Sequence, residues 1–453
     1  MQEAVLRLQA LVIVSSILLL VVPATVSAQS ADAARATEPR GSGPPPLGTR
    51  AAERYDLRRQ KAQNLHPYRA GRLERLLLSI DKAEAPSILD LQFGGFYPRV
   101  GGQSRNSGLS AGVRYWNPEI GGTVLNMHAA AFVSTRWYQQ YDVQFGIMPH
   151  RENQLPLRSW RGDDVYELGD INHVGFRRLR AYASLRYRKQ PEEIFFGLGP
   201  TSRRQDRTSY LLEDATYELV LGYQAASWLA MSLRSGYTTY SVRSGREDNV
   251  PSIGAVFDDA TAPGLVEQPD YVHVSPQLFV DFRDEPGNPH RGFMLGVAYV
   301  NAQNTSSGAF RFERFAADAR AFLPLGADQR VLALRALVLS DQPRPGQQVP
   351  FYLQSSLGSS HTLRGYDSFR FRGEDVALVQ AEYRWEASPP VEFALFTDGG
   401  TVSAPGEDIE TSTLHWNFGY GIRLKNYRAV LFRFDHAFGD ERSRIIVRVS
   451  HSF

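Results

Sequence analysis

From Leu363 to the end of the chain, apolar and polar residues alternate with a period of two. That period sends successive side chains to opposite faces of an extended strand. In 376–385 one face carries Ala377, Val379, Ala381, Tyr383 and Trp385, and the other carries Leu378, Gln380, Glu382 and Arg384. A soluble β-sandwich also alternates. It rarely sets aromatic residues so steadily against a face of Arg and Glu. Segments 391–398 and 416–424 repeat the arrangement, with Phe393 and Leu395, then Trp416, Phe418, Tyr420 and Ile422, on the apolar side. This pattern suits a wall with lipid outside and water inside.

The N-terminus constrains the compartment. Arg7 precedes an apolar run over 10–22, and Val26-Ser27-Ala28 offers a small-x-small cleavage site before Gln29. Residues 1–28 therefore read as a secretory signal, too short and wrongly flanked for a spanning helix. The chain has no Cys, hence no lipoprotein acylation site, disulfide or thiolate metal site. Net charge is +2, with basic and acidic residues interspersed throughout. Nucleic-acid binding needs a clustered basic face instead.

Residues 29–85 read as a periplasmic linker. Its first part, 31–50, is rich in Ala, Pro, Gly and Arg with no apolar period. Within 51–84 a short helix is expected, with Leu73, Leu76, Leu77 and Ile80 on one stripe. Such a helix either plugs a lumen or lies tethered beside it.

The remainder, 86–453, reads as an outer-membrane β-barrel: an all-β, antiparallel, transmembrane fold of about sixteen strands. Candidate strands lie near 88–97, 108–116, 123–134, 138–148, 179–188, 210–223, 228–240, 271–283, 292–301, 311–323, 330–339, 376–385, 391–401, 415–424, 429–438 and 445–453. Short connections at 224–227, 324–329, 386–390 and 425–428 fall on one side; long ones at 241–270 and 340–375 fall on the other. That asymmetry is expected of periplasmic turns against outer loops. The long connection 149–178 falls on the short-turn side and breaks the rule. Gly94-Gly95 inside the first candidate strand and Pro98 after it give either a weakly paired strand or a bulge.

Three patches carry a resemblance. Leu363-Arg364-Gly365-Tyr366 is followed by Phe371-Arg372-Gly373; Phe396-Thr397-Asp398-Gly399-Gly400 lies on a later strand; and Asp281-Phe282-Arg283-Asp284 precedes Asn288-Pro289 and Arg291-Gly292. In this order and spacing, with a terminal Phe453, 87–453 resembles the BamA/TamA outer-membrane assembly superfamily, also called the bacterial surface antigen family, which includes two-partner secretion transporters.

The resemblance implies that a loop carrying Arg364, Gly365 and Tyr366 folds back into the lumen. It further implies that Arg364 pairs with Asp398, a planar fork on a carboxylate. Gly365 suits a tight tip, and Glu382 is inward by parity on the neighbouring strand. Phe453 would close the terminal assembly signal, where His451 stands in place of a more usual aromatic. Partners implied are outer-membrane lipid and, during biogenesis, the barrel-assembly machinery. Family members that handle polypeptides carry periplasmic domains ahead of the barrel, whereas 29–85 shows no compact βα pattern. A separate periplasmic partner supplying those domains is therefore expected.

Three functions compete: insertion or translocation of protein or lipid at the outer membrane, a passive pore or structural barrel, and an enzyme such as a lipid hydrolase. The enzyme reading fails on chemistry. His415, His436 and His451 have no nucleophile elbow beside them, and the adjacent pairs Asp435/His436 and Ser450/His451 point to opposite faces. No metal-ligand spacing of His or Cys is present, and Asp163, Asp164 and Asp170 read as solvated loop carboxylates. No cofactor is expected.

Overall fold

The computed structural model describes residues 94–448, apart from 102, 105–106, 149–177, 286, 307–308 and 426–429. The signal segment 1–28, the linker and helix of 29–85, the irregular connection 149–178, the three loop aspartates, His451 and Phe453 lie outside the described residues, save Arg178 at the end of that connection.

Sixteen strands form one continuous antiparallel sheet in sequence order. They are β1 (Phe96–Gly101), β2 (Ser110–Asn117), β3 (Asn126–Ser134), β4 (Gln139–Ile147), β5 (Leu179–Phe195), β6 (Thr208–Ala226), β7 (Leu229–Ser244), β8 (Tyr271–Asp281), β9 (Gly292–Asn304), β10 (Phe312–Leu325), β11 (Ala327–Pro343), β14 (Asp375–Ser388), β15 (Val391–Val402), β16 (His415–Lys425), β17 (Val430–Gly439) and β18 (Ser443–Arg448). Between β11 and β14 the chain leaves the wall and makes a small hairpin of its own, β12 (Ser355–Leu357) with β13 (Phe371–Gly373). Among the described residues no helix is long and apolar enough to cross a membrane.

The sheet curls into a barrel. The His415 Nε2–H on β16 donates a 2.9 Å hydrogen bond to the carbonyl of Pro200, in the loop after β5, although many strands separate them in the wall. Each wall strand alternates as a lipid-facing surface requires. Along β16, Trp416, Phe418, Tyr420 and Ile422 are exposed while Asn417, Gly419, Gly421 and Arg423 are buried. The apolar face is thus the outer one, and Arg, Asp and Glu line the interior, the inverse of a soluble core.

Two strand boundaries differ from the sequence expectation for physical reasons. The first described strand starts at Phe96; positions 88–93 of the expected strand lie outside the described residues. Gly94 and Gly95 adopt φ of 57° and 89° and form a turn instead of a strand segment. Pro98 lies within β1, paired with Val113, a position tolerable on a terminal strand. β5 runs on to Phe195 instead of ending near 188. A bulge between Gln190 and Glu193, containing Pro191, breaks the alternation without ending the strand.

The long connections after β7 and β11 lie at one end of the barrel, opposite the tight β6–β7, β10–β11 and β14–β15 turns; the long β4–β5 connection falls on the tight-turn end. On the long-loop side Phe195, Tyr210, Tyr271, Phe312, Phe351 and Tyr352 pack into one buried aromatic cluster.

Candidate functional site

The β11–β14 connection enters the barrel interior, and its position is fixed by the wall's inward side chains. Three successive loop carbonyls are held from three strands. Arg433 on β17 donates to Ser360 O at 2.9 Å, Arg335 on β11 to His361 O at 3.0 Å, and Gln380 on β14 to Thr362 O at 2.9 Å. Leu363 and Tyr366 are buried in an apolar cluster with Leu337, Leu357, Phe371 and Leu378.

Arg364 lies at the centre and has no solvent exposure. Its Nε and Nη2 donate to the two oxygens of Asp398 at 2.9 and 2.7 Å, a bidentate fork, and its backbone N–H adds a bond of 3.2 Å. Its Nη1 donates to Glu382 at 2.7 Å. The guanidinium carbon stands 3.5 Å from the ring centroid of Phe396, close enough for a cation–π contact. Burial by itself would lower the Arg364 pKa, but Asp398 and Glu382 outweigh it and hold the guanidinium above its ordinary value. The sequence-predicted residues Arg364, Asp398 and Glu382 therefore meet in space.

The surrounding charges form a connected cluster. Glu382 also accepts from Arg384 at 2.8 Å and Arg423 at 2.9 Å, while Asp398 accepts from Gln380 at 2.9 Å and Asn417 at 2.8 Å. Asp435 lies 3.4 Å from Arg423 and 3.3 Å from Arg433. Arg335, Gln380, Asn417, Arg423 and Arg433 were not among the predicted site residues. Inward parity on β11, β14, β16 and β17 was their only signal, and parity alone does not say which inward residue meets a loop.

Gly365 sits at the tip for a reason other than backbone conformation. A Cβ there would stand 2.7 Å from Cβ of Asn417 and 2.8 Å from N of Gly439. The tip packs directly on the strand ends of β16 and β17, and only hydrogen fits. Tyr366 O–H donates to Trp416 O at 3.2 Å and to Asp440 at 3.1 Å.

Further along, the loop is tied at the long-loop rim. Arg370 pairs with Glu441 at 2.7 Å, and Asp367 pairs with Arg204 at 3.2 Å and with Arg442. Arg370 also donates to Ser202 O at 2.6 Å, and the Gly199 N–H donates to Arg372 O at 2.7 Å. The β5–β6 loop and the β17–β18 turn thus grip the inserted segment from two sides.

Of the histidines weighed as catalytic, His415 stacks on Phe371 with centroids 3.8 Å apart, and His436 bonds Tyr420 O–H at 3.1 Å. Both serve packing and wall contacts. The third sequence patch builds the β8–β9 turn. Arg283 forks Asp281 at 2.8 and 3.0 Å, and Asp284 Oδ1 accepts the N–H groups of Glu285 and His290 at 2.9 and 3.0 Å.

Comparison with known proteins places the fold. Among solved structures, the chain resembles BamA from Haemophilus ducreyi lacking POTRA domains 1–3, at 12% identity and a TM-score of 0.54, covering 78% of this chain and 69% of that one. CdiB from Escherichia coli aligns at 12% identity with a TM-score of 0.49, covering 79% of this chain and 62% of that one. CdiB from Acinetobacter baumannii aligns at 12% identity with a TM-score of 0.42, covering 79% and 57%. No curated protein matches in sequence. The family model for the Omp85 superfamily domain matches residues 106–453, which takes in the whole inserted loop and the strands that hold it. The chain belongs to the Omp85 superfamily.

Proposed function

We propose that this protein is an outer-membrane barrel acting in the insertion or translocation of protein or lipid, with the β11–β14 loop locked into the lumen as a fixed internal element. Arg364, Gly365, Tyr366, Asp398 and Glu382 form the lock. The long loops face the cell exterior and the tight turns face the periplasm. Phe453 serves as the terminal signal read by the barrel-assembly machinery, and a separate periplasmic partner supplies substrate handling. Residues 1–28 act as the export signal, 29–85 as the periplasmic linker and 86–453 as the barrel.

The observation that carries this reading is the seating of the loop tip: Arg364, Asp398 and Glu382 have no exposure, and aromatic residues on the long-loop side pack into a buried cluster. A passive pore needs an open lumen, and a loop tip buried and ion-paired inside the barrel speaks against one.

Two measurements test it. In planar bilayers the purified protein should show no steady wide-pore conductance; a constant large conductance would favour the passive pore. Depletion in the producing cell should alter outer-membrane protein or lipid content. Because the chain has no Cys, a disulfide engineered between β1 and β18 is a clean probe of the seam between the terminal strands. It should abolish function while leaving the barrel folded.

A further inference from the structure

Away from the lumen, a cavity of about 530 Å3 opens at the long-loop rim between the β3–β4 turn, the bulged part of β5 and the residues after β7. The volume is within the roughly 300–1,000 Å3 typical of small-molecule sites. Its apolar side is formed by Trp137, Pro191 and Leu211.

Trp137 is unusual in two ways. It adopts φ of 62°, and it is 71% exposed. The turn is tight: Trp137 N–H donates to Ser134 O at 3.0 Å, and Ser134 N–H to Tyr138 O at 2.9 Å. A left-handed residue closing such a hairpin is normally Gly or Asn, because a β-carbon is strained there. A bulky, exposed indole in that place gains nothing in folding. Strain of this kind is held where the side chain has a use.

The polar side of the cavity carries three cations, Arg136, Lys189 and Arg246, and three carboxylates, Glu192, Glu247 and Asp248. Several are committed: Arg136 to Glu192 at 3.0 Å, Lys189 to Glu213 at 3.4 Å and Glu247 to Arg207. Gln139, Arg246 and Asp248 make no side-chain hydrogen bond or ion pair among the described residues, leaving both donors and acceptors at the site.

This lining selects a ligand class by elimination. A lone phosphate would meet three carboxylates at close range. An acyl chain would desolvate six charged groups without replacing their hydrogen bonds. A neutral ring bearing several hydroxyls satisfies both donors and acceptors, and its C–H face packs on an indole. We propose that this cavity binds a saccharide, with Trp137 as the stacking platform and Gln139, Arg246 and Asp248 as hydrogen-bonding groups. In an outer membrane whose long loops face outward, the rim lies level with the sugar headgroups of the outer-leaflet glycolipid, which is the source we assign. The inference needs that orientation but not the insertion role.

The test uses the full-length protein folded in detergent and two probes. One is the lipid-free core oligosaccharide released from lipopolysaccharide, and the other is lipid A incorporated in mixed micelles. Calorimetric titration should show the oligosaccharide binding to the native chain, with affinity falling at least about tenfold in Trp137→Gly. The same variant should unfold at an equal or higher temperature, because glycine relieves the turn; a structural role for Trp137 would instead lower it. Arg246→Ala should weaken binding several-fold with unchanged unfolding, and it provides the test if Trp137→Gly fails to fold. The proposal is overturned if the native chain does not bind the oligosaccharide, if both variants bind it as the native chain does, or if only lipid A binds.

Discussion

Removing the Arg364 side chain is the perturbation with the largest consequence, and its size follows from what each partner retains. In Arg364→Ala, Glu382 keeps Arg384 at 2.8 Å and Arg423 at 2.9 Å, so it remains paired. Asp398 loses the only cation bonded to it among the described residues and keeps Gln380 and Asn417, which are neutral donors. The stranded group is therefore Asp398, fully buried. Breaking a buried pair by deleting one partner costs about 3–5 kcal/mol. The lost cation–π contact with Phe396 adds up to about 2 kcal/mol where desolvated. A total near the upper part of that range is expected, since both terms act on groups without exposure. The assay is equilibrium urea unfolding of the detergent-folded barrel, read in parallel with the heat-modifiable band on a semi-native gel. The double variant with Asp398→Asn should recover part of the loss, because the stranded charge is gone. A coupling energy of about 0.5–3 kcal/mol is expected for residues in direct contact. If the two substitutions add within about 0.5 kcal/mol, the pair does not hold the loop and the lock assignment is wrong.

Further expectations concern the loop's attachments. Gly365→Ala should cost about 1–3 kcal/mol by overpacking against Asn417 and Gly439, measured by the same unfolding titration; a neutral result would mean the tip is not seated there. Glu374, between β13 and β14, has its carboxyl raised to about 7 by burial, despite the Gly406 N–H that bonds it at 3.0 Å. An acid whose folded pKa lies above its unfolded value destabilises the fold once ionised, so this contribution to stability is intact below about pH 4.5 and lost as pH rises through 7. Glu374→Gln should flatten that part of the pH–stability profile, and an unchanged slope would reject the assignment. His290, in the β8–β9 turn, has its pKa raised by the 2.6 Å bond to Glu386. Its contribution is present below the ordinary histidine pKa of about 6.5 and is lost above the raised one. His290→Gln should remove this loss as pH rises, read by proteolytic nicking at the turn across pH 6–9.

The wall was legible in the sequence because one alternation rule serves every strand. In β14, β15 and β16 the residues assigned outward from parity, such as Val379, Leu395 and Phe418, are the exposed ones. Legibility failed where backbone geometry overrides alternation. Pro191 sits in a bulge that lets β5 continue, and Gly94-Gly95 turns where a strand pattern continues on paper. In the site, motif spacing brought Arg364 and Asp398 together, and parity placed Glu382 beside them. What the sequence could not supply was the third dimension: Ser360, His361 and Thr362 are held by β17, β11 and β14 respectively, a convergence that exists only once the sheet curls. The close approach of Gly365 to Gly439 is hidden for the same reason, since the two are far apart in the chain.

The distribution of exposure along the inserted loop sets the order in which its attachments yield. Each rim pair has one partly solvated partner: Glu441 is 22% exposed, Arg442 37% and Arg204 46%, against buried Arg370 and Asp367. Pairs solvated on one side weaken with salt more than pairs without exposure. The pairs around Arg364 have no exposure and lie beyond the reach of such screening. Any motion of the β17–β18 turn therefore breaks the contacts of Asp367 and Arg370 first and leaves Arg364 seated. High salt should accordingly raise protease access to the rim segment 366–370 while leaving the unfolding midpoint of the barrel nearly unchanged. Cooperative loss of both together would mean that rim and core form one unit, and that Arg364 is not an anchor independent of the gripping loops.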